Sequence, residues 1–147
     1  MTEKSPLTFL GQADASEENK ATSPLYLSPV SAGFPSAAED YIDSQITLHE
    51  LIVHNPASTF FLRASGDSML GVGIHDGDLL VVDRSLEASH NRVVIAALDG
   101  ELLVKKLHRK GGRVLLKSAN EGYPDFDISE REHVHIWGVV SYVLHKL

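Results

Sequence analysis

Two dipeptides, Asp99-Gly100 and Gly111-Gly112, constrain this chain more than any other feature. Each supplies a pair of residues able to take positive φ, which a two-residue hairpin turn demands. The segments they separate, RVVIAAL, ELLVKKLH and RVLLKS, are rich in β-branched and aliphatic residues, so the spacing predicts three consecutive antiparallel strands in a meander. TFFLRAS, DLLVVD and HIWGVVSYVLHKL read the same way, with Asp76-Gly77-Asp78 as a further turn. So many short strands exclude a helical bundle or a βαβ repeat. The expected fold is mostly β, built of antiparallel strands and hairpins.

One short helix is expected over ITLHELIVH, residues 46 to 54, with Asp43 and Ser44 as candidate caps and Pro56 as its stop. Its pattern places Ile46, Leu48, Leu51 and Ile52 inward. Residues 1–40 are rich in Ser, Ala, Pro and acidic side chains without sustained periodicity, the composition of a flexible arm ahead of a domain spanning 41–147. With 147 residues and 43% hydrophobic content, the chain suits one core rather than two. No internal repeat is evident.

Composition narrows the chemistry. A net charge of −7 disfavours non-specific binding to nucleic acid or anionic lipid, which calls for clustered positive charge. The basic run from Lys105 to Lys110, with Arg113, reads as a solvated hairpin. The absence of cysteine removes disulfides, thiol nucleophiles and cysteine-ligated metals, and points to a cytoplasmic setting. No segment reads as a signal peptide or a membrane span, so no membrane partner is expected. No phosphate-binding loop is present, and Gly71-Val72-Gly73 lacks the context of a dinucleotide site. The eight histidines form no HExxH motif, and His133-Val134-His135 has no evident third ligand, so neither metal nor cofactor is expected.

The segment Ala64-Ser65-Gly66-Asp67-Ser68-Met69 differs from the rest, because a strand runs directly into a tight turn that leaves Ser68 exposed beside backbone N–H groups. On its own such a serine is an ordinary turn residue. As a nucleophile it needs a base, for which this chain offers histidine or lysine. A lysine serves only when apolar surroundings disfavour its charged form. Alternation along residues 101–108 puts Lys105 on the face of Leu103 and Leu107, and Lys106 on the other. Lys105 is therefore the better candidate, with His75 or His90 as the chemical alternative.

The stretch ASGDSMLGVGIHDGDLLVV (64–82), the strand containing Val104-Lys105-Lys106-Leu107, and Ser31-Ala32-Gly33-Phe34-Pro35 together resemble the UmuD branch of the LexA-like peptidases. The resemblance covers the chain from about residue 28 onward. In that family a serine in an SGDSM-type turn pairs with a lysine about 37 positions later, and Ser68 and Lys105 stand at that spacing. The resemblance implies self-cleavage at Ala32-Gly33, with Gly66, Asp67 and Met69 supporting the turn and the oxyanion. Ala and Gly would not obstruct backbone approach to an embedded pair, and the chain between Gly33 and Ser68 spans on the order of 100 Å when extended.

The same family divides into repressors with a DNA-reading module and UmuD-like proteins without one. Thirty-two residues carrying two lysines against four acidic side chains do not suggest such a module, so sequence-specific DNA binding is not expected. The resemblance implies a homodimer, a RecA-nucleoprotein filament as stimulator, and an error-prone Y-family (UmuC-like) polymerase subunit as partner in the SOS response. Two readings stand beside it: an interaction module that binds a polymerase without cutting, and a soluble Ser-Lys peptidase acting on other proteins. A signal-peptidase-like enzyme would share the Ser-Lys chemistry but would need a membrane anchor.

Overall fold

The computed structural model describes residues 7–13, 22–26, 32–34 and 42–147. Its main feature is an eight-stranded antiparallel sheet: β1 (Leu7–Gln12), β4 (Thr59–Ala64), β5 (Leu79–Asp83), β10 (Val134–Leu144), β6 (Val93–Leu98), β7 (Glu101–Lys110), β8 (Arg113–Lys117) and β9 (Phe126–Asp127), in that spatial order. A separate two-stranded ribbon pairs β2 (Ser23–Tyr26) with β3 (Ile42–Ile46). The six strands legible in the sequence are all present. Asp99 and Gly100 take φ of 50° and 82°, and Gly111 and Gly112 take 60° and 78°, so both hairpins turn as their sequences require.

Apolar side chains alternate between the sheet's two faces. On β6, Ile95 belongs to a cluster with Leu62, Met69, Ile74, Leu80, Val82 and Val104, whereas Val94 and Ala96 join Leu107, Leu116 and Val139. Neighbours on a strand point to opposite faces, so both faces are covered, which is why VVIA and LVV read as unbroken apolar runs. The late strand β10 enters between β5 and β6 with register shifts near Gly138 and Ser141. A Cβ at Gly138 would lie 2.6 Å from Val82 Cγ1, so glycine permits the close packing there.

The short helix α1 (Leu48–Ile52) differs in detail from the sequence pattern. Thr47, not Asp43 or Ser44, caps it, with its hydroxyl accepting from the Glu50 N–H at 3.0 Å. Asp43 and Ser44 lie instead in β3. Leu48 and Leu51 are exposed rather than inward (63% and 41%): the helix is a single turn none of whose residues is buried, and β3 takes over the preceding residues. Pro56 opens a 3-10 turn, Pro56–Ser58, leading into β4. Within residues 1–40, two segments pair as strands: β1 docks along β4, with Leu7 opposite Ala64, and β2 joins β3. Composition did not indicate them.

Asp83, at the end of β5, ties this entry to the sheet. Its carboxylate accepts from Asn55 Nδ2 (2.7 Å), Ser58 Oγ (2.8 Å), Ser85 N (2.8 Å) and Ser85 Oγ (2.6 Å). Burial pushes its pKa up, but these donors outweigh that effect and hold it down at about 2.

Candidate active site

The turn after β4 is held from three sides. Gly66 has a φ of 90°, a conformation that favours glycine, and its N–H donates to Asp76 Oδ1 at 2.8 Å. Met69 is buried in the core, so its side chain anchors the turn from below. From above, residues 118–120 clasp it: Ala119 N–H donates to Ser68 O (2.8 Å), Gly71 N–H donates to Ala119 O (2.6 Å), and Asn120 Nδ2 donates to Asp67 O (2.8 Å). The Tyr123 hydroxyl donates to Asp67 Oδ1. Asp67 is thereby a structural acceptor.

Ser68 is left half-buried at the mouth of a cleft of about 440 Å³ lined by Ser65, Asp67, Leu103, Ser118, Tyr123 and Phe126, among others. Lys105 reaches the same cleft from β7. It is 7% exposed, and its Nζ lies 3.3 Å from Ser68 Oγ, 2.8 Å from Ser118 Oγ and 5.8 Å from the Tyr123 ring centroid. Leu107, on the same side of β7, is fully buried. Lys106, on the other side, is more exposed than Lys105. Burial of an amine disfavours its charged form, and the alcohol beside it is the group that a free amine would deprotonate.

Ser118 was not foreseen. Its position was nevertheless encoded: the Gly111-Gly112 hairpin pairs Lys110 with Arg113 and Lys106 with Lys117, and one further step places Ser118 opposite Lys105. The histidines considered as bases are engaged elsewhere. His90 Nδ1 accepts from the Arg109 N–H at 3.0 Å, and His75 stacks on His145. Ala32, Gly33 and Phe34 form an exposed bend and are not among the residues lining the cleft. Around Gly33, a Cβ would meet open space.

Most of the chain, residues 24–141, matches the Peptidase S24-like family, and the protein belongs to it. Within that family its relatives are UmuD-like. Protein MucA of Salmonella typhimurium is 48% identical over 122 residues, covering 82% of this chain and 83% of the relative. Protein ImpA of Escherichia coli is 42% identical over 134 residues, 91% of each. The LexA repressor of a Shewanella species is more distant, 36% identical over 107 residues, 73% of this chain and 52% of the repressor. Among the described residues no helix is long and apolar enough to cross a membrane.

Proposed function

We propose that this protein cuts its own backbone between Ala32 and Gly33, with Ser68 as nucleophile and Lys105 as general base. The observation that carries the reading is the buried Lys105 nitrogen 3.3 Å from the Ser68 oxygen in an open cleft. A separation slightly beyond a tight hydrogen bond is common before substrate binds.

Lys105, as the free amine, takes the Ser68 hydroxyl proton while Oγ bonds to the Ala32 carbonyl carbon. The resulting oxyanion is met by the backbone N–H groups of Ser68 and Met69. The carbon–nitrogen bond to Gly33 then breaks as Lys105 returns the proton to the departing amine. Water attacks the Ser68 ester with Lys105 again as base, releasing the residue 32 carboxyl and restoring the serine. Ala32 and Gly33 suit this step because neither side chain would hold the backbone away from a recessed pair. In this reading residues 1–40 are a substrate arm, and the bend at 32–34 is exposed.

The biological role follows from kinship with the UmuD-like relatives: an accessory subunit for error-prone translesion synthesis in the cytoplasm. The cut form would act as a homodimer with a Y-family polymerase subunit, and a RecA-nucleoprotein filament would stimulate the cut. Loss of residues 1–32 would change which surface is available to those partners. Mass spectrometry of purified protein held at alkaline pH tests the chemistry. A fragment beginning at Gly33, missing from Ser68→Ala and Lys105→Ala, is expected; persistence of that fragment in Lys105→Ala would reject lysine as base.

A further inference from the structure

We propose that His75, Asp78 and His145 form a binding site for one divalent transition-metal ion of the zinc class. None of the three lines the Ser68 cleft, and the inference does not depend on the cleavage reaction.

The carboxylate is the fixed element. The Asp78 side chain is 2% exposed, and Oδ2 accepts the His75 backbone N–H at 2.7 Å, which sets the orientation of the group. The two imidazoles are the adjustable elements, 47% and 41% exposed, at the rim above it. His145 Nδ1 lies 2.6 Å from Asp78 Oδ1, and His75 Nδ1 lies 3.5 Å from Asp78 Oδ2. One donor atom from each residue falls within 4.8 Å of the other two. The rings stack with centroids 4.3 Å apart and planes 30° from parallel.

Zinc holds nitrogen and carboxylate oxygen at roughly 2.0–2.2 Å, so tetrahedral ligand atoms sit about 3.3 Å apart. Reaching that value means that the 2.6 Å His145–Asp78 separation lengthens while the wider ones shorten, which requires rotation of the exposed imidazoles about their side-chain bonds with the buried carboxylate left in place. A single dication satisfies both nitrogens and the carboxylate together. Two imidazoles and one carboxylate favour zinc, cobalt or nickel over magnesium or calcium, and leave a fourth position to water.

The site is also tied to the nucleophile turn. Ala64 N–H donates to Asp78 O (2.9 Å), Gly77 N–H donates to Ala64 O (2.8 Å), and Asp76 accepts from Gly66 N–H. An ion there would cross-link the segment after β10 to the 75–78 turn. His145 lies 67 residues after Asp78, so no local motif announces the set.

The test uses the full chain without an added histidine tag. Cobalt titration followed by visible absorption should give the bands of a four- or five-coordinate ion at one equivalent, and added zinc should raise the thermal midpoint. His75→Ala and His145→Ala should each weaken binding by at least about tenfold, with both proteins still folded, while His133→Ala should leave it unchanged. Absence of cobalt bands and of a zinc-dependent midpoint shift would overturn the proposal. So would undiminished binding in both His75→Ala and His145→Ala, which would place the ion elsewhere.

Discussion

Lys105 Nζ lies nearer to Ser118 Oγ, at 2.8 Å, than to Ser68 Oγ, at 3.3 Å. Ser118 stands at the point where β8 gives way to the clasp over the nucleophile turn, and Ala119 beside it bonds to Ser68 and Gly71. One short segment therefore touches both partners of the pair. If the proposed cleavage is right, Ser118→Ala is expected to slow it about tenfold by loosening the amine, whereas Lys105→Ala would remove a general base, a role that contributes ~10²–10⁴-fold. Ser118→Thr should recover most of the loss. Time courses of fragment release decide the matter, and an unchanged rate in Ser118→Ala would remove Ser118 from the site.

On the proposed mechanism, self-cleavage should accelerate as pH rises, because in it only the free amine of Lys105 can accept the serine proton. Below its pKa, the rate is expected to increase about tenfold per pH unit, levelling off once the amine is fully deprotonated. A rate that does not change between about pH 6 and 10 would exclude lysine as the base.

Gly71→Ala places a methyl group 2.6 Å from the Ala119 carbonyl oxygen, a backbone atom that also accepts the Gly71 N–H. The clasp must move to make room. Overpacking of this kind costs about 1–3 kcal/mol. The variant should show both a lower urea midpoint and slower cleavage, and a wild-type midpoint would mean that the clasp yields freely.

Asp83 makes a pH-dependent contribution to stability. Its folded pKa of about 2 lies below the ordinary aspartate value of 3.8, so its contribution is fully present above the unfolded value and is lost as pH falls through the folded one. At neutral pH the shift corresponds to on the order of 2 kcal/mol. Asp83→Asn should therefore be less stable than the parent at pH 7, and the gap should narrow from about pH 4 downward in urea titrations. A gap independent of pH would assign the effect to packing instead.

The parts legible in the sequence were those fixed by local chemistry. Asp99-Gly100 and Gly111-Gly112 specify their turns through backbone conformation alone, and alternation along β7 is enough to separate Lys105 from Lys106. Strand β1 was missed because LTFLGQ gains its order from pairing with β4, more than forty residues away. Helix α1 was placed correctly but oriented wrongly, since five residues carry too little periodicity to say which side faces the sheet. Ser118 was within reach of hairpin counting, whereas the meeting of His75, Asp78 and His145 depends on where β10 ends.

Strand β10 joins β1–β4–β5 to β6–β7–β8–β9 and follows all of them in the chain. Ser68 comes just after a strand of the first group and Lys105 lies on a strand of the second. During translation both groups leave the ribosome before the strand that pairs with each of them, so the clasp of residues 118–120 on the Ser68 turn is the contact between the two halves that the chain can make first. The eight-stranded sheet is thus closed at its centre by the strand that is made last.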